Sequence, residues 1–174
     1  MLEGFNGTIF AYGQTSSGKT HTMQGPNIGD IELQGIVPRM VRTVFNRIEN
    51  ADENIEFTVK VSMCEIYNEK IKDLQNPKAD NLKIHEEKGK GIYIQDIVEK
   101  YCCDETDVYD VMKMGNSNRA IASTNMNAES SRSHSMFVLT ITMKDNTTDS
   151  LKTGKLYLVD LAGSEKIGKT GAQG

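Results

Sequence analysis

The chain has 174 residues, 37% apolar and 25% charged, with a formal net charge of −4. That length suits one α/β domain and is short for two. The acidic balance argues against a partner held by bulk electrostatics, such as nucleic acid or an anionic membrane. No apolar run approaches the ~20 residues needed to cross a bilayer.

Met1 to Phe5 has neither the basic region nor the apolar core of a secretion signal. Residues Thr8 to Tyr12 form a short β-prone run. Directly after it, Gly13, Gln14, Thr15, Ser16, Ser17, Gly18, Lys19 and Thr20 spell a complete phosphate-binding loop. Its glycines sit where the backbone must curl so that successive N–H groups point inward at phosphate oxygens. Lys19 carries a point charge that reaches the β- and γ-phosphates, and the Thr20 hydroxyl suits a magnesium ion. A helix starting near Gly18 would aim its positive end at the same phosphates. The preceding strand separates this pattern from an ordinary Gly/Ser-rich turn and predicts a bound nucleoside triphosphate.

Gly25 to Gln34 reads as a polar surface loop. Val37, Met40, Val41, Val44, Phe45 and Ile48 then recur at helical spacing, with Pro38 in the first turn, and predict an amphipathic helix ending near Asn50. Ile55 to Tyr67 alternates as a strand with Ile55, Phe57, Val59, Val61 and Met63 on its buried face. Asn76-Pro77 breaks the chain. Leu82 to Ile84 and Gly91 to Ile94 are short strand candidates around a polar hairpin, Glu86 to Lys90. The three cysteines, with Cys102 and Cys103 adjacent, read as free thiols in a reducing compartment. Asp104 can cap a helix that carries Val108, Val111 and Met112 on one side.

Asn127 to His134 (N-A-E-S-S-R-S-H) is dense in hydroxyls and lies just before a strand, Met136 to Met143. Such a segment orients a water and completes a magnesium shell, or is simply a serine-rich turn. Leu156 to Leu161 is a buried strand with Asp160 near its end and Gly163 beyond. A carboxylate there holds magnesium beside a phosphate loop, or merely closes a strand. Strands interleaved with helices around a phosphate loop predict an α/β fold, a P-loop NTPase-type sheet flanked by helices, with its ligand at the carboxyl ends of the strands.

Three motifs, G-Q-T-S-S-G-K-T, N-x-x-S-S-R-S-H and D-L-A-G-S-E, occur in this order and roughly this spacing. N-G-T-I-F-A-Y, H-T-M and L-Y-L-V flank them. Together they resemble the kinesin motor domain, in wording most like the conventional kinesin heavy chain. The resemblance covers essentially all 174 residues. It implies ATP hydrolysis with magnesium, coupled to movement on microtubules in the cytoplasm. It further implies that Gly13 to Thr20 cradle the phosphates and that His21 lies near the adenine. Thr20, Ser131 and Asp160 would surround magnesium, while Asn127 and Ser130 place the attacking water. The Gly163 N–H would sense the γ-phosphate, and Arg132 would pair with Glu165 when the site closes.

By the same resemblance residues 1–174 are a partial motor domain, beginning just before the phosphate-loop strand and ending after the second switch. Earlier strands and the main microtubule-binding helices would lie outside it, leaving a sheet edge exposed. Full-length relatives imply a homodimer through a stalk. Lys88 and Lys90 resemble a peripheral filament contact and read equally well as a solvated turn. A nucleotide-dependent interaction module without hydrolysis is the competing reading. A small GTPase is disfavoured because the chain has no N-K-x-D guanine-reading motif. Whatever the reading, Lys19, Ser131 and Gly163 must meet in space.

Overall fold

The computed structural model describes residues 1–89, 91–125 and 129–165. At its centre is a mixed sheet in which β1 (Gly7–Ala11), β8 (Ser150–Asp160), β7 (His134–Asp145), β2 (Ile55–Tyr67) and β3 (Lys70–Asp73) lie side by side in that order, with β6 (Lys100–Cys102) pairing alongside β2. Strand β1 runs parallel to β8. The others, β7, β2, β3 and β6, pair antiparallel.

Alternation decides which side chains meet the helices. Val59, Val61 and Met63 of β2, Phe137, Leu139 and Ile141 of β7, and Leu156 and Leu158 of β8 share the core with α2 (Ile36–Glu49) and α3 (Glu105–Asn125). Helix α2 contributes Val37, Val41, Val44 and Phe45, as its spacing predicts, and α3 contributes Val108, Val111 and Met112. Burying a side chain such as Leu139 contributes about 1.5–3 kcal/mol. Strand β2 departs from simple alternation, because Val61 to Glu65 are buried on both faces. A hairpin of β4 (Ile84–Glu87) and β5 (Gly91–Ile94) lies over the opposite sheet face. Ile66, Ile71, Ile92, Val138 and Tyr157 line the cleft between them.

Asp104 caps α3 as expected. Its Oδ1 accepts from the Asp107 N–H at 2.9 Å, while Asp107 Oδ2 accepts from the Cys103 N–H at 2.7 Å, a reciprocal cap. The cysteines are free. Burial, chiefly, pushes the Cys64 thiol up to about 12 and the Cys102 thiol to about 11, so both stay protonated.

Several elements differ from expectation, among them β8, which begins at Ser150 and not at Leu156. Strand β4 begins at Ile84 instead of ending there, because Leu82 is spent on an isolated bridge to Ile71. Strands β3 and β6 are short pairings that β2 templates, and their own sequences carry too few residues to alternate. Helix α1 (Lys19–Met23) has only five residues. It stops because Gly25, at φ 85°, turns the chain left-handed and its N–H closes on the His21 carbonyl at 2.9 Å. Residues 25–35 then leave and return through one neck. The Gly35 N–H donates to the Gln24 carbonyl at 3.0 Å, and a Cβ on Gly25 would stand 2.1 Å from the Leu33 carbonyl oxygen.

Candidate functional site: a phosphate loop braced by two polar segments

The parallel pairing of β1 with β8 builds the site. Ala11 and Asp160 are register partners at the carboxyl ends of these strands. The loop leaving β1 and the segment leaving β8 therefore start side by side. Gly13 to Gly18 wraps into α1, with Ser16 at φ 64° and Gly18 at φ 88°. Only glycine takes the second without cost, and the strained Ser16 marks a loop shaped for something other than stability. Lys19 Nζ donates to the carbonyls of Gly13 and Gln14, each at 2.9 Å, across the mouth of the loop. With α1 barely longer than one turn, its dipole is a smaller part of the site than the sequence suggests. The loop's own N–H groups and Lys19 carry most of the positive potential.

Thr20 Oγ1 donates to Asp160 Oδ2 at 2.5 Å. Asp160 is 5% exposed, and its Oδ1 is buried with no hydrogen-bond partner among the described residues. A buried carboxylate oxygen without a donor is costly unless a cation answers it. One hydroxyl beside one such carboxylate is a donor set that fits magnesium, which keeps most of its water shell. It does not fit a metal that demands several protein ligands, and no cluster of three His, Cys, Asp or Glu occurs among the described residues.

The segments expected to meet do meet. The Gly163 N–H donates to the Ser131 carbonyl at 2.8 Å, and the Ser164 N–H to the Gly13 carbonyl at 3.1 Å. Lys19, Ser131 and Gly163 are thus joined through adjacent hydrogen bonds. Glu165 grips the phosphate loop. Its Oε2 accepts from the Thr15 N–H at 2.8 Å and its Oε1 from the Thr15 hydroxyl. These two bonds, helped by the charge of Lys19, hold the Glu165 carboxyl down to about 2. Arg132 is exposed at the end of α4 (Glu129–Arg132). The expected Arg132–Glu165 pair is not among the ion pairs of the described residues; Thr15 donates to both carboxylate oxygens. His21 lies on exposed α1 beside a 320 Å³ cleft lined by Glu32, Gln34 and Arg39. Asn127, Lys90 and the side chain of Ser130 lie outside the described residues.

Sequence reasoning missed Glu65 and Arg119, and it named Ser133 and His134 only as members of the segment Asn127 to His134, without their contacts. His134 Nδ1 accepts from the Ala162 N–H at 3.0 Å and tethers the segment after β8. Glu65, Arg119 and Ser133 form a buried polar knot behind Asp160. Arg119 Nε lies 2.9 Å from Glu65 Oε1, and its Nη2 donates to Ser133 Oγ at 3.2 Å. Ser133 Oγ donates to Glu65 Oε1 at 2.5 Å. Arg119 Nη1 stands 4.0 Å from Asp160 Oδ2. The available signal was Glu65, a charge in phase with the apolar Val59, Val61 and Met63 of β2, a position that requires a buried partner; Arg119 inside a long helix gave none.

Comparison with known proteins supplies the family. The model of the kinesin motor domain matches residues 1–174. Kinesin-related protein 3 of Dictyostelium discoideum is 63% identical over 177 aligned residues, covering 100% of this chain and 15% of that protein. The kinesin heavy chain of Syncephalastrum racemosum is 58% identical, covering 100% and 19%. Kinesin-1 heavy chain of Homo sapiens is 53% identical, covering 100% and 18%. The solved structure of a fast kinesin, described with implications for ATPase mechanism and interactions with microtubules, superposes with a TM-score of 0.95 at 55% identity. It covers 99% of this chain, which spans 49% of the solved one. Family model, relatives and fold agree, and the chain belongs to the kinesin motor domain family.

Proposed function

We propose that this chain is the ATP-binding and ATP-hydrolysing core of a microtubule-based motor, in which loss of the γ-phosphate moves the two polar segments behind the phosphate loop. The observation that carries this reading is the direct bonding of three separate segments: Thr20 to Asp160, Gly163 to Ser131, and Ser164 to Gly13. Phosphoryl transfer needs placement and charge stabilisation more than covalent chemistry.

In this reading Gly13 to Thr20 present their N–H groups to the phosphates. Lys19 Nζ exchanges two backbone carbonyls for phosphate oxygens. Thr20, Ser131 and Asp160 hold magnesium, which supplies charge neutralisation at the β- and γ-phosphates. Asn127 and Ser130 orient water. The Gly163 N–H leaves the Ser131 carbonyl to bond the γ-phosphate, and Glu165 leaves Thr15 to pair with Arg132. Exchanges of this kind let a terminal phosphate hold two loops and release them on departure. The family relation supports ATP as the nucleotide and a microtubule as the partner. It also supports a cytoplasmic, cytoskeletal site of action and a dimeric full-length motor.

Phosphate release by the full-length motor that carries this segment, measured with and without microtubules, tests the proposal. Turnover stimulated by the filament is the expected result. In Glu165→Ala, nucleotide binding should persist while turnover falls roughly 100- to 1,000-fold, the loss when one partner of a partly buried pair is removed from the transition state. Nucleotide binding without hydrolysis in the unmodified chain would instead favour an interaction module.

A further inference from the structure

Helix α3 is held in two different ways along its length. Its residues in the apolar core, Val108, Val111 and Met112, all lie in its first half. In the second half, the apolar Met114 and Ile121 are 43% and 59% exposed. Other contacts hold that half. A Cβ on Gly115 would stand 2.4 Å from Met63 Sδ, so the helix lies directly against β2 there. Asn118 Nδ2 donates to the Leu74 carbonyl at 2.8 Å, and Arg119 reaches Glu65. Asn116 Nδ2 donates instead to Gln24 Oε1, at 2.6 Å. Apolar burial is non-directional, whereas hydrogen bonds fix angle and distance. The second half of α3 is therefore placed by its polar ties.

Gln24 closes α1, the helix that leaves the phosphate loop. Its N–H donates to the Thr20 carbonyl at 2.8 Å, and its carbonyl accepts from the Gly35 N–H at 3.0 Å. Gln24 is 8% exposed, and it shares the lining of a small cavity with Val37, Met63 and Met112. In such surroundings a hydrogen bond is stronger than in water, and an unmade one is costly. About 14 Å of helix separates Asn116 from the end of α3 at Asn125. Beyond that end, α4 carries Ser131, whose carbonyl accepts from the Gly163 N–H.

We propose that Gln24 and Asn116 are a positioning pair, whose amide bond sets the register of α3 against the phosphate-loop helix and so aims the segment beyond α3 at the γ-phosphate. Neither residue belongs to the phosphate loop or to the two segments that close on it. The proposal rests on the ATP-hydrolysing reading above and adds to it a pair that acts on water attack by placement alone. A neutral pair suits the task, because it holds position without adding charge near the phosphates.

Both partners are tested in the full-length motor that carries this segment. Gln24→Met and Asn116→Leu keep side-chain size and remove the bond. Single-turnover hydrolysis of ATP, followed by chemical quench, reads placement. Equilibrium binding of an N-methylanthraniloyl derivative of ADP reads the phosphate loop. Each single variant should hydrolyse ATP at least about tenfold more slowly, as misplacement on the order of an ångström requires. Affinity for the fluorescent ADP should stay within about twofold of the starting motor, because the phosphate loop itself is untouched. The double variant Q24M/N116L should be at most about twofold slower than the slower single variant, because the same bond is lost only once.

Unchanged hydrolysis in either folded single variant overturns the proposal. Losses that multiply in the double variant overturn it as well, since the two side chains would then act separately. So does a loss of ADP affinity that matches the loss in rate, which would mean that the pair only supports the nucleotide pocket. Should one single variant fail to fold, the other decides by the same split between rate and affinity. An unmodified motor that binds no fluorescent ADP, or binds it and never hydrolyses ATP, would instead sink the hydrolytic reading itself, and this proposal with it.

Discussion

Thr15 and Glu165 show how one residue pair sets the resting arrangement of the site. Thr15 gives Glu165 both its N–H and its hydroxyl, two donors for one carboxylate, and these bonds favour the charged form. The carboxyl is held down to about 2 from an ordinary 4.5. A lowered value makes the tie fully present above pH 4.5 and lost as pH falls towards 2. Thermal melts of the unmodified chain and Glu165→Gln should therefore differ by a constant amount above pH 4.5 and converge between pH 4.5 and 2. Curves that stay parallel down to pH 2 would show that Thr15 gives the carboxylate no special support. Sequence reasoning named both residues, but from the resemblance it expected Arg132 to face Glu165. The contact with Thr15 joins residues 150 positions apart, and no local pattern announces it. The knot of Glu65, Arg119 and Ser133 is hidden for the same reason. Each member looks like an ordinary polar residue until β2, α3 and the start of β7 are brought together.

Elements with their own periodicity were legible in the chain. Helix α2 and the long strands β2 and β7 carry enough alternating or helically spaced apolar residues to declare themselves, and their ends moved by only a few positions. Elements that borrow their structure were not. Strand β3 exists because β2 offers it hydrogen bonds, and α1 ends early because Gly25 is left-handed. Helix α3 lies between these cases. Its apolar stripe is short, and its start depends on the cap. Asp104→Ala removes the acceptor for the Asp107 N–H and should cost about 1 kcal/mol. Urea unfolding checks this, with a lower midpoint and an unchanged slope expected. A change in slope would mean that the whole start of α3, with Arg119 further along it, had come loose.

Across the molecule, the sheet is finished unevenly. Its β2–β7–β8 centre is packed against α2 and α3, whereas β1 pairs on one side with β8 and meets no second strand among the described residues. Phe10 on that strand is 62% exposed and Tyr12 just beyond it 78%. An open edge with exposed aromatics is a template for another chain. Phe10→Lys should lower light scattering at high protein concentration without moving the melting midpoint, and equal scattering would show that association starts elsewhere. The neck that joins α1 to α2 has the opposite character. Gly25 and Gly35 close it backbone to backbone, Ile28 packs against the core, and Arg39 of α2 donates to the Glu32 carbonyl at 3.0 Å. Only the short stretch between these ties, residues 29–31, can change length without altering the course of α1 or α2. That stretch is thus a place where relatives can diversify while the machinery beneath stays the same.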